Sequence, residues 1–250
     1  MRWRVIELDE YSPEMNMAID EAILESVSEG KSDPTIRFYR WDREAVTMGT
    51  GQDMSILKDE DVKVVRRPSG GNAVYLSRDD LTYSVVAPKS LFNDSPGKAY
   101  RSICDRIVNA INSVSVLEAK LVGKNDVVLD GKKACGNAME YSRRDVFLQH
   151  GCLFYNSGSK NRWLDLFNIS EKDLKISFVA DYLKEGFGSD DFYKSLKRSM
   201  VGLADDHYIG DISEEEMERA YSLVEEKYSN KAWRKGAKKG TVCPADIRDD

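Results

Sequence analysis

Short strand-type runs fill the first 155 residues of this chain, and helical periodicity takes over from Trp163 onward. That order predicts an α+β fold, a mainly antiparallel sheet flanked by helices, because a parallel sheet would need strands and helices in alternation. The clearest strand covers residues 81–87, where Leu81, Tyr83, Val85 and Ala87 alternate with Thr82, Ser84 and Val86, as a sheet with one buried face requires. Further β-type runs cover residues 3–8, 35–41, 45–49, 62–65 and 73–76. Two more flank Asp130-Gly131, a dipeptide suited to a tight hairpin turn. Another spans residues 145–155 (DVFLQHGCLFY), with Gly151 marking a bulge or the close approach of a ligand. Ser12-Pro13 and Ser95-Pro96 each read as an N-cap followed by a first helical position. After the first of these, Met15, Ala18, Ile19, Ala22, Ile23 and Val27 keep helical spacing, and Gly30 lies just past the end. Ser213 and Glu216 form a capping box that opens a helix running to about Tyr228. Residues 1–236 are expected to form one domain and residues 237–250 a mobile tail.

At 250 residues the chain can bury a sizeable core without a disulfide framework. Its four cysteines form no CxxC pair and its two histidines stand far apart, so a zinc site has little to build on. Reduced thiols and a cytoplasmic location are expected. No stretch approaches the roughly 18 apolar residues of a membrane span, and the start carries no apolar signal core. The net charge of −6 argues against a nucleic-acid partner. The basic run at residues 231–239 (KAWRKGAKK) reads as a solvated helix end or tail.

Two segments carry chemistry. In residues 66–75 (RRPSGGNAVY) two cations stand beside a Gly-Gly turn leading into a strand. Glycine lets backbone N–H groups approach a phosphate closely, and arginine adds a fork of donors. The plain alternative is a hairpin turn with a solvated arginine pair. No Gly-Lys-Ser/Thr follows, so this is not a Walker loop. In residues 123–138 (GKNDVVLDGKKACGNA), Asn125-Asp126 can offer oxygens to magnesium, and a lysine just past the turn can reach a carboxylate or phosphate. The competing explanation is a charged hairpin with Lys132 and Lys133 in water.

Taken together, MNMAIDEAIL (15–24), RFYRW with Gly49 and Gln52 downstream, RRPSGGNAVY, GKNDVVLDGKKACGNA and LQHGCLFYN (148–156) resemble the ordered motifs of lipoate-protein ligase A. That enzyme belongs to the wider biotin and lipoate ligase and octanoyltransferase superfamily. The resemblance covers about the first 160 residues, with a weaker match at EEKYSNKAW (225–233). It implies the biotin/lipoate ligase type of catalytic domain, with ATP and Mg2+ as cosubstrate and metal, lipoate as substrate and no tightly bound cofactor. By the same resemblance Arg67, Asn72, Ala73, Val74, Tyr75, Asn125, Asp126 and Lys133 hold ATP, with Asp126 beside the magnesium. Ser69, Gly70, Gly71, Lys133, Gly136, His150 and Gly151 hold lipoate, and Lys133 is the central catalytic residue. The implied partners are lipoyl carrier domains of the 2-oxoacid dehydrogenase E2 or glycine cleavage H protein type. A separate small accessory-domain subunit is a further expected partner, because many such ligases carry that domain after the position of Trp233.

Three departures accompany the likeness. Most relatives have a third glycine at Asn72, a His-Asp pair at Leu76-Ser77 and a hydroxyl residue at Cys152. One alternative function is octanoyl or lipoyl transfer from a carrier thioester without ATP, and Cys135 and Cys152 lie in pocket motifs. The nucleophilic cysteine of such transferases belongs upstream of the lysine hairpin, however, where residues 117–122 read LEAKLV. A buried cysteine is usually an inert apolar residue. The other alternative, a non-catalytic protein that binds lipoate or the acceptor, would lose Lys133 or Arg67, and both are present.

Overall fold

The computed structural model describes residues 1–58, 61–143, 145–167 and 169–236. The strands are β1 (Arg2–Tyr11), β2 (Thr35–Trp41), β3 (Ala45–Met48), β4 (Lys63–Arg66), β5 (Val74–Leu76) and β6 (Leu81–Pro88), followed by β7 (Lys120–Val122), β8 (Asp126–Leu129), β9 (Lys132–Glu140), β10 (Val146–Leu153) and β11 (Asp206–Ile209). The helices are α1 (Pro13–Ser28), α2 (Pro96–Val114), α3 (Lys160–Leu166), α4 (Ser189–Val201), α5 (Glu214–Leu223) and the short α6 (Lys231–Lys235). Eight strands form one sheet in the order β11-β1-β2-β6-β10-β9-β8-β7, and β4-β3-β5 form a smaller one. All neighbours from β2 to β7 across the large sheet run antiparallel, while β1 runs parallel to both β2 and β11. Among the described residues no helix is long and apolar enough to cross a membrane.

Local chemistry sets these boundaries. The Ser12 side chain accepts from Met15 N–H at the start of α1, and Ser95 does the same for Lys98 in α2. Gly30, with φ of +70°, stops the chain after α1. Asp130 and Gly131 take φ of +51° and +70°, the left-handed pair that a two-residue hairpin between β8 and β9 demands. Ser213 and Glu216 exchange hydrogen bonds as a capping box, and α5 continues into a π-type turn at Val224–Tyr228.

Both faces of the large sheet are covered. One packs against α1, α5 and the small sheet through Tyr39, Trp41, Val86, Leu148 and Phe154. The other packs against α2 and α4 through Phe38, Tyr83, Val85 and Phe147. Strand β6 is therefore buried on both sides, which corrects the one-faced reading of its alternation. Its polar positions are hydrogen-bonded instead of solvated: Trp41 donates to Thr82 Oγ1 (2.9 Å) and Ser84 donates to Asp20 (2.8 Å). Strand β11 is a second correction, for this short, mostly exposed edge strand lies inside the segment read as helical. The basic run at 231–239, read as a solvated helix end or tail, is described as far as Gly236, with Lys231 and Lys235 exposed. Lys231–Lys235 form α6, whose Trp233 and Arg234 carbonyls accept from Arg66 Nε at 3.1 Å, while Trp233 Nε1 donates to Arg66 O at 2.9 Å. Residues 237–250, read as a tail, lie outside the described residues.

Candidate active site

A cavity of about 530 Å³ opens between the large sheet, the 67–74 loop and the irregular segment that follows α3. The loop is built around Arg67, which is 6 % exposed. Its guanidinium donates to Ser69 Oγ (3.2 Å), Thr47 O (3.2 Å), Gly70 O (2.6 Å) and Asn72 O (2.9 Å). Four of its five N–H donors are thus spent inside the protein. Among the described residues no carboxylate pairs with it, and burial, with the charge of Arg66 added, pulls it down to about 10, still cationic at neutral pH. The N–H groups of Gly70, Gly71 and Asn72 donate to no protein acceptor among the described residues. A buried cation whose partners are three carbonyls and a hydroxyl, beside free N–H groups, is an anion-binding arrangement. Gly71 needs its φ of +89°, and Gly49 needs to lack a side chain, because a Cβ there would meet Gly71 O at 2.0 Å. Arg66 holds the turn after β3 instead, donating to Gly49 O and Thr50 O as well as to α6.

Across the cavity the register of β9 shifts. Val127 pairs with Cys135 and Val128 with Lys133, so Ala134 is an extra residue, a β-bulge. Ala134 and Cys135 both turn into the core shared with α2. Lys133 is thereby brought beside Gly136, where a built Cβ would lie 3.7 Å from its Cδ, and both line the cavity. The Lys133 ammonium sits 2.8 Å from Asp126 Oδ1, with the two side chains 40 % and 38 % exposed. Its backbone pairs with a second segment: Lys133 N donates to Lys175 O and Ser177 N to Lys133 O, each at 2.9 Å. That segment supplies Leu174, Lys175 and Ile176 to the cavity wall.

The sheet forms the floor. Tyr83, Gly151 and Asn137 lie abreast on β6, β10 and β9. Tyr83 donates to Asn137 Oδ1 (2.7 Å), and Asn125 and Asn137 each donate an amide N–H to the other's carbonyl (2.7 Å). A Cβ on Gly151 would fall 2.0 Å from Asn137 Oδ1. The close approach that this glycine permits is therefore by the chain's own carboxamide, and β10 runs through it without a bulge. On the other face of the sheet, the one that lines the cavity, His150 meets Asp20, which is fully buried on α1.

Residues 12–201 match the lipoyl protein ligase A/B catalytic domain family. The chain belongs to this family. It is 28% identical to octanoyltransferase LipM of Lysinibacillus sphaericus over 92% of this chain and 98% of that protein. Solved structures with the same fold include a lipoate-protein ligase A bound with ATP, with TM-score 0.81, 25% identity, and 94% and 99% of the two chains covered. Another is a bipartite lipoate protein ligase from Thermoplasma acidophilum, described with its E2 lipoyl domain, with TM-score 0.83, 25% identity, and 97% and 100% covered.

Of the residues that the lipoate ligase likeness assigns, Arg67, Gly71, Asn72, Ala73, Val74, Asn125, Asp126, Lys133, Gly136, His150 and Gly151 line this one cavity. Three do not. Tyr75 packs its ring edge-on against Trp163 in the core, Gly70 turns its carbonyl to Arg67, and Ser69 is buried against His150. Of the departures within the family motifs, Asn72, Leu76 and Cys152 line the cavity and Ser77 does not. Asp20, Asn137 and Lys175 were not singled out from sequence. The signal for Asp20 was available, a carboxylate inside the otherwise apolar run MAIDEAIL. Magnesium fits in a limited way: among the described residues no three His, Cys, Asp or Glu side chains converge, and Asp126 is the carboxylate beside Lys133. One carboxylate suffices for magnesium that takes its other oxygens from phosphates and water. Cys104, Cys135 and Cys152 are buried, and burial pushes every one of these thiols up, Cys104 to about 12 and the other two well above the ordinary thiol range. Cys243 lies outside the described residues.

Proposed function

We propose that this chain is an ATP-dependent ligase that activates lipoate or a close analogue as its adenylate and passes the acyl group to a lysine of a lipoyl carrier domain. The observation that carries this reading is the Lys133–Asp126 pair on the same cavity as the Arg67 loop and its free N–H groups. Adenylation brings a carboxylate against a triphosphate, and fixed cations must offset the repulsion of two anions. The acid's carboxylate oxygen attacks the α-phosphorus, the bond to the bridging oxygen breaks and pyrophosphate leaves. Lys133 is proposed to neutralise the carboxylate and α-phosphate as they meet, while the N–H groups of Gly71 and Asn72 hold phosphate oxygens. Asn125, tied to Asn137, and Asp126 would hold magnesium, which supplies charge neutralisation to the phosphates when bound. In the second half-reaction an acceptor amine attacks the acyl carbonyl, AMP departs, and Lys133 stabilises the oxyanion.

The carrier-domain partner is supported by the likeness to a ligase described with its E2 lipoyl domain. That relative is bipartite, which supports a separate accessory polypeptide here as well. Free cysteines among the described residues support a reducing, cytoplasmic setting. A second reading, acyl transfer from a carrier thioester without ATP, is favoured by the sequence relatives named octanoyltransferase LipM. Against it stands the state of Cys152, the cavity-lining thiol among the described residues, which burial keeps protonated. The deciding measurement is ATP–pyrophosphate exchange with lipoate or octanoate, with octanoyl-carrier protein tested in parallel. Acid-dependent exchange supports the ligase. Octanoyl transfer without ATP, and no exchange with either acid, overturns it.

A further inference from the structure

His150 stands between a buried carboxylate and the glycine loop. Its Nδ1 is 3.2 Å from Asp20 Oδ2 and its Nε2 is 2.6 Å from Ser69 Oγ. Asp20 also accepts from Arg37 Nη1 (3.1 Å), Ser84 Oγ (2.8 Å) and Tyr39 OH (2.9 Å). Burial alone would raise the Asp20 carboxyl, but the His150 hydrogen bond and the Arg37 charge hold it below the ordinary carboxylate range. It is an anion and can only accept. A carboxylate at Nδ1 fixes the proton of a neutral imidazole there and leaves Nε2 as an acceptor. In that tautomer Ser69 donates to Nε2, while its oxygen accepts from Arg67 Nε at 3.2 Å.

The three groups come from separate elements, Asp20 from α1, His150 from β10 and Ser69 from the loop between β4 and β5. All are buried, at 0 %, 5 % and 1 % exposure. The order serine–histidine–aspartate is that of a hydrolytic triad, but Ser69 does not line the cavity and presents no hydroxyl to an acyl group. What the relay does reach is the loop, since Ser69 and Arg67 together fix the turn through Gly70 and Gly71.

We infer that Asp20 is a positioning residue: by fixing the His150 tautomer it orients the Ser69 hydroxyl and holds the Arg67–Asn72 loop in its binding conformation. That this conformation binds ATP and the acid rests on the ligase reading; the tautomer and the loop order do not.

The chain has two histidines, so 15N imidazole spectra of the full chain in a His207→Gln background report His150 alone. The expected wild-type signature is the Nδ1–H tautomer. Asp20→Asn, whose amide can donate to Nδ1, should switch it to Nε2–H and move the Gly70 and Gly71 amide resonances. Ser69→Ala should keep the tautomer and still move those resonances, which tests the relay even where the Asp20 variant does not fold. In turnover, both variants should raise KM for ATP or acid about tenfold, with kcat changed less. Ser69→Thr, which keeps the hydroxyl, should recover most of the loss. An Nε2–H tautomer in the wild type overturns the proposal, as do unmoved Gly70 and Gly71 resonances in the two variants. If no acid is adenylated, the ligase reading falls, and the relay is still decided by the spectra.

Discussion

Gly151→Ala is the substitution whose cost the structure specifies best. The added methyl would lie 2.0 Å from Asn137 Oδ1 and 2.7 Å from Tyr83 Cε1. Neither strand can retreat, because β10 is paired on both sides, so the carboxamide must swing away. Overpacking of this kind costs about 1–3 kcal/mol. Moving Asn137 also breaks the Tyr83 bond to Oδ1 and the Asn137 bond to Asn125 O, each 2.7 Å long. Leaving buried groups unsatisfied adds about 1–3 kcal/mol, so a total near 4 kcal/mol is expected. In an Asn137→Ala background the carboxamide clash is gone and only the Tyr83 ring edge at 2.7 Å must give, so the same methyl should cost about 1–2 kcal/mol, a coupling of roughly 2–3 kcal/mol. Urea unfolding of the four proteins, with m unchanged, measures each term. Additive effects, with coupling under about 0.5 kcal/mol, would refute the idea that the Asn137 carboxamide occupies the space above Gly151.

Lys133→Ala should lower adenylate formation about a hundredfold or more, whereas Lys132→Ala, exposed beside the turn, should stay within a few-fold; equal losses in single-turnover assays would contradict the assignment. Gly49→Ala sets a Cβ 2.0 Å from Gly71 O, a backbone atom, so the loop itself must shift. Calorimetry should then show weakened ATP binding alongside a destabilisation of about 1–3 kcal/mol. The buried Arg4–Glu216 pair predicts an acid limb. Burial opposes ionisation of Glu216, but the hydrogen bonds and charge of Arg4 hold its carboxyl below the ordinary range. Its contribution is complete above the unfolded value of about 4.3 and is lost as pH falls through the folded one. Glu216→Gln should cost about 3–5 kcal/mol at pH 7 and flatten unfolding free energy against pH below that range; an unchanged acid limb would show that other carboxylates set it.

Elements whose signals are local were legible in the chain. Caps at Ser12, Ser95 and Ser213 and the Asp130-Gly131 turn act within four residues of themselves, and each stands where its chemistry predicts. The ordered motifs likewise led to one cavity, because Gly71, Lys133 and His150 each sit on an element with a recognisable pattern. Burial on both faces of β6 was not legible, since it depends on α1 and α4 packing from elsewhere in the chain as well as on the nearby α2, and hydrogen-bonded Thr82 and Ser84 read as solvated ones. The two arginines show the same limit. Sequence supplied cations beside glycines, but only the packed loop turns Arg67 onto the carbonyls of Gly70 and Asn72 and Arg66 onto α6. The bulge at Ala134 and the Asp20–His150–Ser69 relay were decided by tertiary structure alone. The bulge is settled by which β9 residues turn into the core, and the relay by contacts across 130 and 81 residues that no short window of the sequence contains.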